Sequence, residues 1–266
     1  MVSASASFTG PQYYNDCLGP LWFEFFAADL AQRLPKEPSG DVLEIACGTG
    51  IVTIKLRERL DPSVRLVATD VSRPMLDYAR ARLDDRSDIE WREADALALP
   101  FDDNEFAAVV CGFGMMFMPD RAAALREARR VLGDGAILLF NVWDRIGKNL
   151  HAFASAQVLE ALFPGDHEMS FRRPYEMGDA GQLRRLLADT GFRETRIDTK
   201  RVSITGADPF RLAIGLIRGT PRATLIEQRG GSPDNVIAKV RDALARTGGD
   251  PYHGQAQAVI VEALAI

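Results

Sequence analysis

From Asp41 to Val142 short apolar runs alternate with amphipathic stretches, the order produced by a parallel sheet covered with helices. Val42 to Ala46 reads as a buried strand, and Val64 to Thr69, Ile89 to Arg92, Phe106 to Cys111 and Ala136 to Val142 as four further strands. Ile51 to Leu60 carries apolar residues at helical spacing. Ser72 is placed to cap the next helix, which has Pro74 in its first turn, where the missing N–H costs nothing, and reaches Leu83. Asp120 caps a further helix whose Leu125, Ala128 and Leu132 share one face, and Gly133-Asp134-Gly135 ends it.

These units predict a doubly wound sheet with helices on both faces. Glu194 to Thr205 and Ala256 to Ile266 are extended enough to add two strands. The expected fold is therefore α/β: a Rossmann-like, doubly wound, seven-stranded sheet, mostly parallel with an antiparallel last strand. Residues 1–266 read as one domain, with a helical cover over 1–35, a core over 36–145 and a helical lid insertion over 206–255. Pro209 to Arg218 and Asn235 to Thr247 are the insertion's helices, and it serves as a lid or as a homodimer contact. The Ser/Ala-rich first seven residues are expected to fray.

Composition narrows the function. The net charge of −5 lacks the cationic excess that tracks phosphates, so nucleic acid is disfavoured. No run approaches the roughly 18 to 20 apolar residues of a membrane span, and the amino terminus lacks a basic region leading into an apolar run. A cytoplasmic protein without membrane insertion is expected. Cys17, Cys47 and Cys111 are scattered and form no CxxC pair, so no disulfide framework or zinc site is indicated. His151, His167 and His253 are not at metal-ligand spacing either, and no metal is expected.

Ligands of open parallel sheets bind beyond the carboxyl ends of the strands. The first strand ends in Glu44-Ile45-Ala46-Cys47-Gly48-Thr49-Gly50, where glycines let a ligand approach the backbone closely. A dinucleotide fingerprint needs a third glycine where this chain has Thr53, which weakens a nicotinamide reading. Asp70, twenty residues after Gly50, closes the second strand, where a carboxylate accepts from ribose hydroxyls.

Over roughly residues 40 to 145 the chain resembles the class I S-adenosylmethionine-dependent methyltransferases, in particular the ubiquinone and menaquinone C-methyltransferase group with its E-x-A-C-G-T-G turn. The resemblance implies S-adenosyl-L-methionine as cofactor and S-adenosyl-L-homocysteine as product. It gives the methionine part to Glu44, Ala46, Gly48 and Gly50, the ribose to Asp70, and the adenine to Val71, Met75, Asp95 and a backbone contact at Ala96. It sets Cys111 over the cofactor, and it likens Tyr14, in Tyr13-Tyr14-Asn15-Asp16, to a segment that closes the site. The approach Pro100-Phe101-Asp102 to Phe106 follows the same family pattern.

Methyl transfer from a sulfonium is an in-line displacement, which asks mainly for positioning and exclusion of water. A small, apolar or aromatic acceptor suits Phe23, Met115, Met116, Phe117 and Trp143, the candidate pocket residues. Packing is the competing role for the amino-terminal aromatics and the methionines. Where a base is needed, His151 and Tyr14 are the candidates. Arg172, Arg173, Arg211, Arg218 and Arg222 either meet an anionic group or simply face solvent. Two other functions stay open: a nicotinamide oxidoreductase on a similar sheet, and a noncatalytic S-adenosylmethionine-binding module.

Overall fold

A computed structural model of the chain describes residues 10–266; the Ser/Ala-rich first seven residues lie outside that range. Two helices, α1 (Gly10–Leu18) and α2 (Phe23–Arg33), precede the sheet. Then follow β1 (Val42–Ile45), α3 (Ile51–Arg59), β2 (Leu66–Asp70), α4 (Arg73–Arg82), β3 (Ile89–Glu93), β4 (Phe106–Gly112), α5 (Arg121–Val131) and β5 (Leu132–Trp143). The second half adds α6 (Leu150–Leu162), α7 (Ala180–Ala188), β6 (Phe192–Ala207), α8 (Pro209–Arg218), α9 (Arg222–Gln228), α10 (Pro233–Gly248) and β7 (Tyr252–Ala265).

The seven strands form one sheet in the order β3-β2-β1-β4-β5-β7-β6. Strands β1 to β5 pair in parallel, while β7 runs antiparallel to both of its neighbours. Val42 of β1 pairs with Leu66 on one side and Ala108 on the other. The strand order therefore reverses at β1, and the crevice beyond its carboxyl end is the ligand position of this topology. Every residue of β1 and β2 is buried, including the polar Glu44, Thr69 and Asp70, as central strands covered on both faces are.

Three local expectations change. The Ser72 side chain makes no cap hydrogen bond; the Ser72 N–H instead donates to Asp70 Oδ1 at 2.8 Å, so the strand-end carboxylate fixes the turn into α4. Leu132 is not the last face residue of α5 but the first of β5: it pairs with Phe106, and a register shift between Phe106 and Ala108 takes up the Gly133-Asp134-Gly135 segment. The insertion also holds a third helix, α9. Asp120 caps α5 as expected, its carboxylate accepting from Ala123 N at 2.9 Å.

The helices of the insertion do not stand apart from the core. Helix α8 packs on α1 and α10, and α10 on α6. A Cβ on Gly215 of α8 would fall 2.6 Å from Leu18 and 2.7 Å from Cys17, so the absent side chain is what lets α8 lie directly on α1. Helices α1, α8, α10 and α6 thus pack successively on one another.

Candidate functional site

The turn after β1 is built by backbone conformations that L side chains resist. Ala46, Gly48 and Gly50 have φ of 54°, 57° and 77°, all in the left-handed region. Nothing lies within 4 Å of a Cβ placed on Gly48, so its open side faces the crevice. Gly50 is crowded instead: its Cβ would meet Ala79, Leu83 and Trp91 at 3.2 to 3.3 Å, which sets the close packing of α4 under the turn. Cys47 N donates to Thr69 O at 2.9 Å and fastens the turn to β2.

Asp70 completes the crevice. Its Oδ2 accepts from Gly48 N at 2.8 Å, and burial raises its pKa against the pull of the Ser72, Gly48 and Val71 N–H groups. Val71, next along, is 69% exposed at the crevice mouth, the setting of an apolar side chain waiting for a flat ligand. Met75 is half-buried on α4. Asp95 is exposed, its Oδ1 accepting from Leu97 N at 2.9 Å, while Ala96 is buried beside it.

Beneath the turn Glu44 is fully buried, and its Oε2 has no hydrogen-bond partner; nor does the buried hydroxyl of Thr49. Burial lifts Glu44 to about 8, against the effect of the Thr53 hydroxyl. Cys111 is enclosed below Gly114, and burial pushes its thiol up to about 12. A Cβ on Gly114 would stand 2.5 Å from the Ala46 Cβ and 2.7 Å from the Cys111 Sγ, so Gly114 is the seat of the turn.

These features test S-adenosylmethionine directly. A cationic amino-acid part answers the unpartnered acidic oxygen of Glu44, the bare side of Gly48 admits backbone contact, and the unspent acceptor capacity of Asp70 suits ribose hydroxyls. The residues fit the group. Thr53, where a dinucleotide turn has glycine, is buried inside α3.

An aromatic cluster roofs the crevice. Tyr14 stacks on Phe23 at 4.7 Å, Phe23 meets Phe113 edge-on at 5.3 Å, and Phe113 lies 4.2 Å from Trp143. Burial raises the Tyr14 phenol, and the negative charge of Asp70 raises it further, so its hydroxyl keeps its proton. Met115 and Met116 are buried, whereas Phe117 is exposed on a cleft of about 740 Å³ between the 165–176 connection and the start of α9. His151 stacks on Trp22 at 4.5 Å and burial lowers it to about 3, so it is neutral at physiological pH.

Two residues escaped the sequence reading, and a third behaves unlike its group. Asn141 Oδ1 accepts from Phe113 N at 2.8 Å and holds Phe113 at a φ of 55°, turned into the cluster. Tyr175 stacks on Trp143 at 6.0 Å. Arg222, one of the five arginines expected either to meet an anionic group or to face solvent, is buried. Arg172 and Arg218 do sit at the surface on Glu160 and Asp234, and Arg211 donates to Asp16 O. A lone asparagine in an apolar strand was the one available signal for Asn141. Among the described residues no group could hold a metal ion, and no helix is long and apolar enough to cross a membrane.

Residues 42–135 match the methyltransferase domain family. The chain is 35% identical over 165 residues to the demethylmenaquinone methyltransferase of Staphylococcus aureus (strain JH9), covering 58% of this chain and 68% of that protein. The Staphylococcus carnosus enzyme of the same name is 40% identical over 36% of this chain, a match that spans 39% of the relative. For the Thermus thermophilus one the identity is 41%, over 42% of this chain and 50% of the relative. The chain thus spans half or less of the length of several relatives it matches. Among solved structures, geranyl diphosphate C-methyltransferase from Streptomyces coelicolor, in complex with S-adenosyl-L-homocysteine, superposes with a TM-score of 0.54 at 18% identity, over 91% of this chain and 76% of that one. The [4+2]-cyclase SpnF superposes at 0.57 and 17% identity over 99% of both chains. At such identities the likeness concerns the fold alone.

Proposed function

We propose that this chain, which belongs to the class I S-adenosylmethionine-dependent methyltransferases, transfers a methyl group to a small apolar or aromatic acceptor. The observation that carries the reading is the joint built at the strand-order reversal: an open Gly48, tied by its own N–H to Asp70, above a buried Glu44 whose Oε2 has no hydrogen-bond partner. When bound, S-adenosylmethionine supplies an electrophilic methyl on a sulfonium.

The chain's own residues bind, orient and keep out water. Glu44, Ala46, Gly48 and Gly50 take the methionine part, Asp70 the ribose, and Val71, Met75, Asp95 and Ala96 the adenine, with Cys111 packed under the turn. Phe23, Phe117 and Trp143, backed by Met115 and Met116, shape the acceptor space. Their apolar faces strengthen positioning by excluding solvent. Tyr14 closes the site from α1 and donates from its protonated hydroxyl. His151, so hard to protonate, is a weak base, and the reading leans on placement of an acceptor that is already nucleophilic. Residues 206–255 act as the lid and, with the 1–35 cover, choose the acceptor. The reading includes a cytoplasmic protein and a homodimer, the latter decided by sedimentation.

The relatives' name makes reduced demethylmenaquinone a natural first acceptor to assay. Calorimetry with S-adenosyl-L-homocysteine, followed by transfer of a labelled methyl group to a panel of quinols and phenols, tests the proposal. Saturable binding and label in the acceptor are expected; absence of both would reject the enzyme reading.

A further inference from the structure

Arg222, the first residue of α9, is 2% exposed and has no carboxylate partner among the described residues. Its Nη1 donates to Ser155 Oγ at 3.3 Å and to Leu216 O at 3.2 Å. The buried Nε has no partner and Nη2 donates to no described residue. Nε and Nη2 are the two donors of one edge of the guanidinium, the edge that takes a carboxylate through parallel bonds. One face of the group lies over the Phe171 ring, 4.3 Å from its centroid. Burial lowers Arg222 only to about 10, so the group is a cation at neutral pH.

Arg57 shows what a structural arginine looks like in this fold. It is 4% exposed, yet it donates to Val64 O, Leu60 O and Asp61 O at 2.8, 3.2 and 2.6 Å and faces Asp88 at 3.2 Å. These are the two buried arginines among the described residues. A buried cation left with a free bidentate edge costs stability, and a ligand anion recovers it.

The surroundings belong to the acceptor space. Arg222 acts electrostatically on His151 and on Tyr175; Tyr175 stacks on Trp143 and, with Asp70, raises the Tyr14 phenol. The charge of Arg222 is thus felt on the Tyr175 side of the aromatic cluster, where Tyr175 stacks on Trp143. Phe171 and Pro221, flanking the guanidinium in space and in sequence, also line the cleft of about 740 Å³ that Phe117 shares.

We propose that Arg222 anchors the anionic end of the methyl acceptor, and that the acceptor is a small apolar carboxylic acid. The proposal rests on the methyl-transfer reading for the word acceptor, and on the free guanidinium edge for the acid. A carboxylate matches one buried positive charge, whereas a phosphate monoester brings about −1.5 to −2 at neutral pH. The aromatic walls accept the apolar remainder.

The test compares acids with their neutral amides on the full chain. Trans-cinnamate and indole-3-acetate, with cinnamamide and indole-3-acetamide, are titrated calorimetrically in the presence of S-adenosyl-L-homocysteine. At least one acid is expected to bind about 10- to 100-fold more tightly than its amide, the worth of a charged pair of hydrogen bonds. Arg222→Gln should erase that preference, and Arg222→Lys should keep part of it. Equal binding of acid and amide, no binding by either acid, tighter binding of phenyl phosphate, or a preference that survives Arg222→Gln would each overturn the proposal. Should Arg222→Gln fail to fold, Arg222→Lys and Arg173→Gln decide instead: a preference reduced in Arg222→Lys and kept in Arg173→Gln supports the proposal, and a preference lost in Arg173→Gln overturns it. Failure of S-adenosyl-L-homocysteine to bind is a separate result: it removes the cofactor reading, and the acid-to-amide ratio measured without it still judges Arg222.

Discussion

The Gly48 N–H donates to Asp70 Oδ2 at 2.8 Å, while Oδ1 of the same carboxylate accepts from Ser72 N at 2.8 Å. One side chain therefore clamps the loops at the carboxyl ends of β1 and β2 against each other. Asp70→Ala removes both bonds as well as the ribose acceptor. Hydrogen bonds to a charged group contribute about 1.5 to 3 kcal/mol each, so S-adenosyl-L-homocysteine affinity should fall by about 100-fold. Asp70→Asn keeps the shape and one acceptor oxygen and should lie between. Calorimetry on the three proteins checks this, and unchanged affinity in Asp70→Ala would remove Asp70 from the site.

The seat of the turn makes a prediction about stability. At Gly114 a new Cβ would stand 2.5 Å from the Ala46 Cβ and 2.7 Å from the Cys111 Sγ, inside a core with no slack to yield. Gly114→Ala should cost about 1 to 3 kcal/mol in urea unfolding. Ala46, at a φ of 54°, accepts glycine without strain. The double variant Ala46→Gly, Gly114→Ala should recover part of the loss, because Cys111 still crowds the new methyl. Strict additivity in that double-mutant cycle would mean that the two residues do not share the contact.

Glu44 couples the site to pH. Its folded value of about 8 lies above the ordinary 4.5, so between these two the folded chain keeps a proton that the unfolded chain has lost. The resulting stability is complete below the unfolded value and disappears as pH rises through the folded one, on the order of 5 kcal/mol in all. Glu44→Gln should flatten that decline in the ligand-free protein. Binding a ligand whose cationic part faces Glu44 should expel the proton. Titration of S-adenosyl-L-homocysteine at pH 7 in buffers of different ionisation enthalpy should therefore show proton release in the wild type and none in Glu44→Gln.

The sheet was legible because its central strands are buried on both faces, so Val42–Ile45 and Leu66–Asp70 are mainly apolar, with Glu44 and Asp70 as the acidic exceptions that mark the site. Helix α8 was legible to the residue, since Asp208 accepts from Phe210 N and Pro209 follows it at the helix start. Helix α6 was not: Leu150–Leu162 is apolar on nearly every side, and without a polar face it carries no helical period. The cofactor turn could be read because its chemistry is local, a spacing of glycines and acids within thirty residues. The acceptor space could not. Phe113 is turned inward by Asn141, 28 residues away, and Arg222 is buried by Phe171 and Ser155, which lie 51 and 67 positions earlier in the chain. Nothing in the neighbourhood of an arginine in sequence records which ring will cover it.

His151 is where burial and the sequence-based role diverge most. The ring is 1% exposed, lies flat on Trp22 at 4.5 Å, and its Nδ1 has no hydrogen-bond partner. Burial lowers it from 6.5 to about 3, the carbonyl of Gln255 resisting and the charge of Arg222 assisting. A base that weak holds a proton too loosely to speed its removal from an acceptor near neutral pH. The sign for stability is opposite to that of Glu44. Here the unfolded chain takes up the proton first, so the contribution is complete above about 6.5 and is lost as pH falls toward 3. His151→Phe keeps the stacking and cannot titrate; it should unfold less readily than wild type between these pH values and match or fall below it at pH 8. Methyl-transfer rates should drop less than about tenfold, since a working general base contributes roughly 10²- to 10⁴-fold. A rate loss of the larger size, together with the disappearance of an acid limb in the wild-type pH profile, would restore His151 as the base and require its pKa to rise when the acceptor binds.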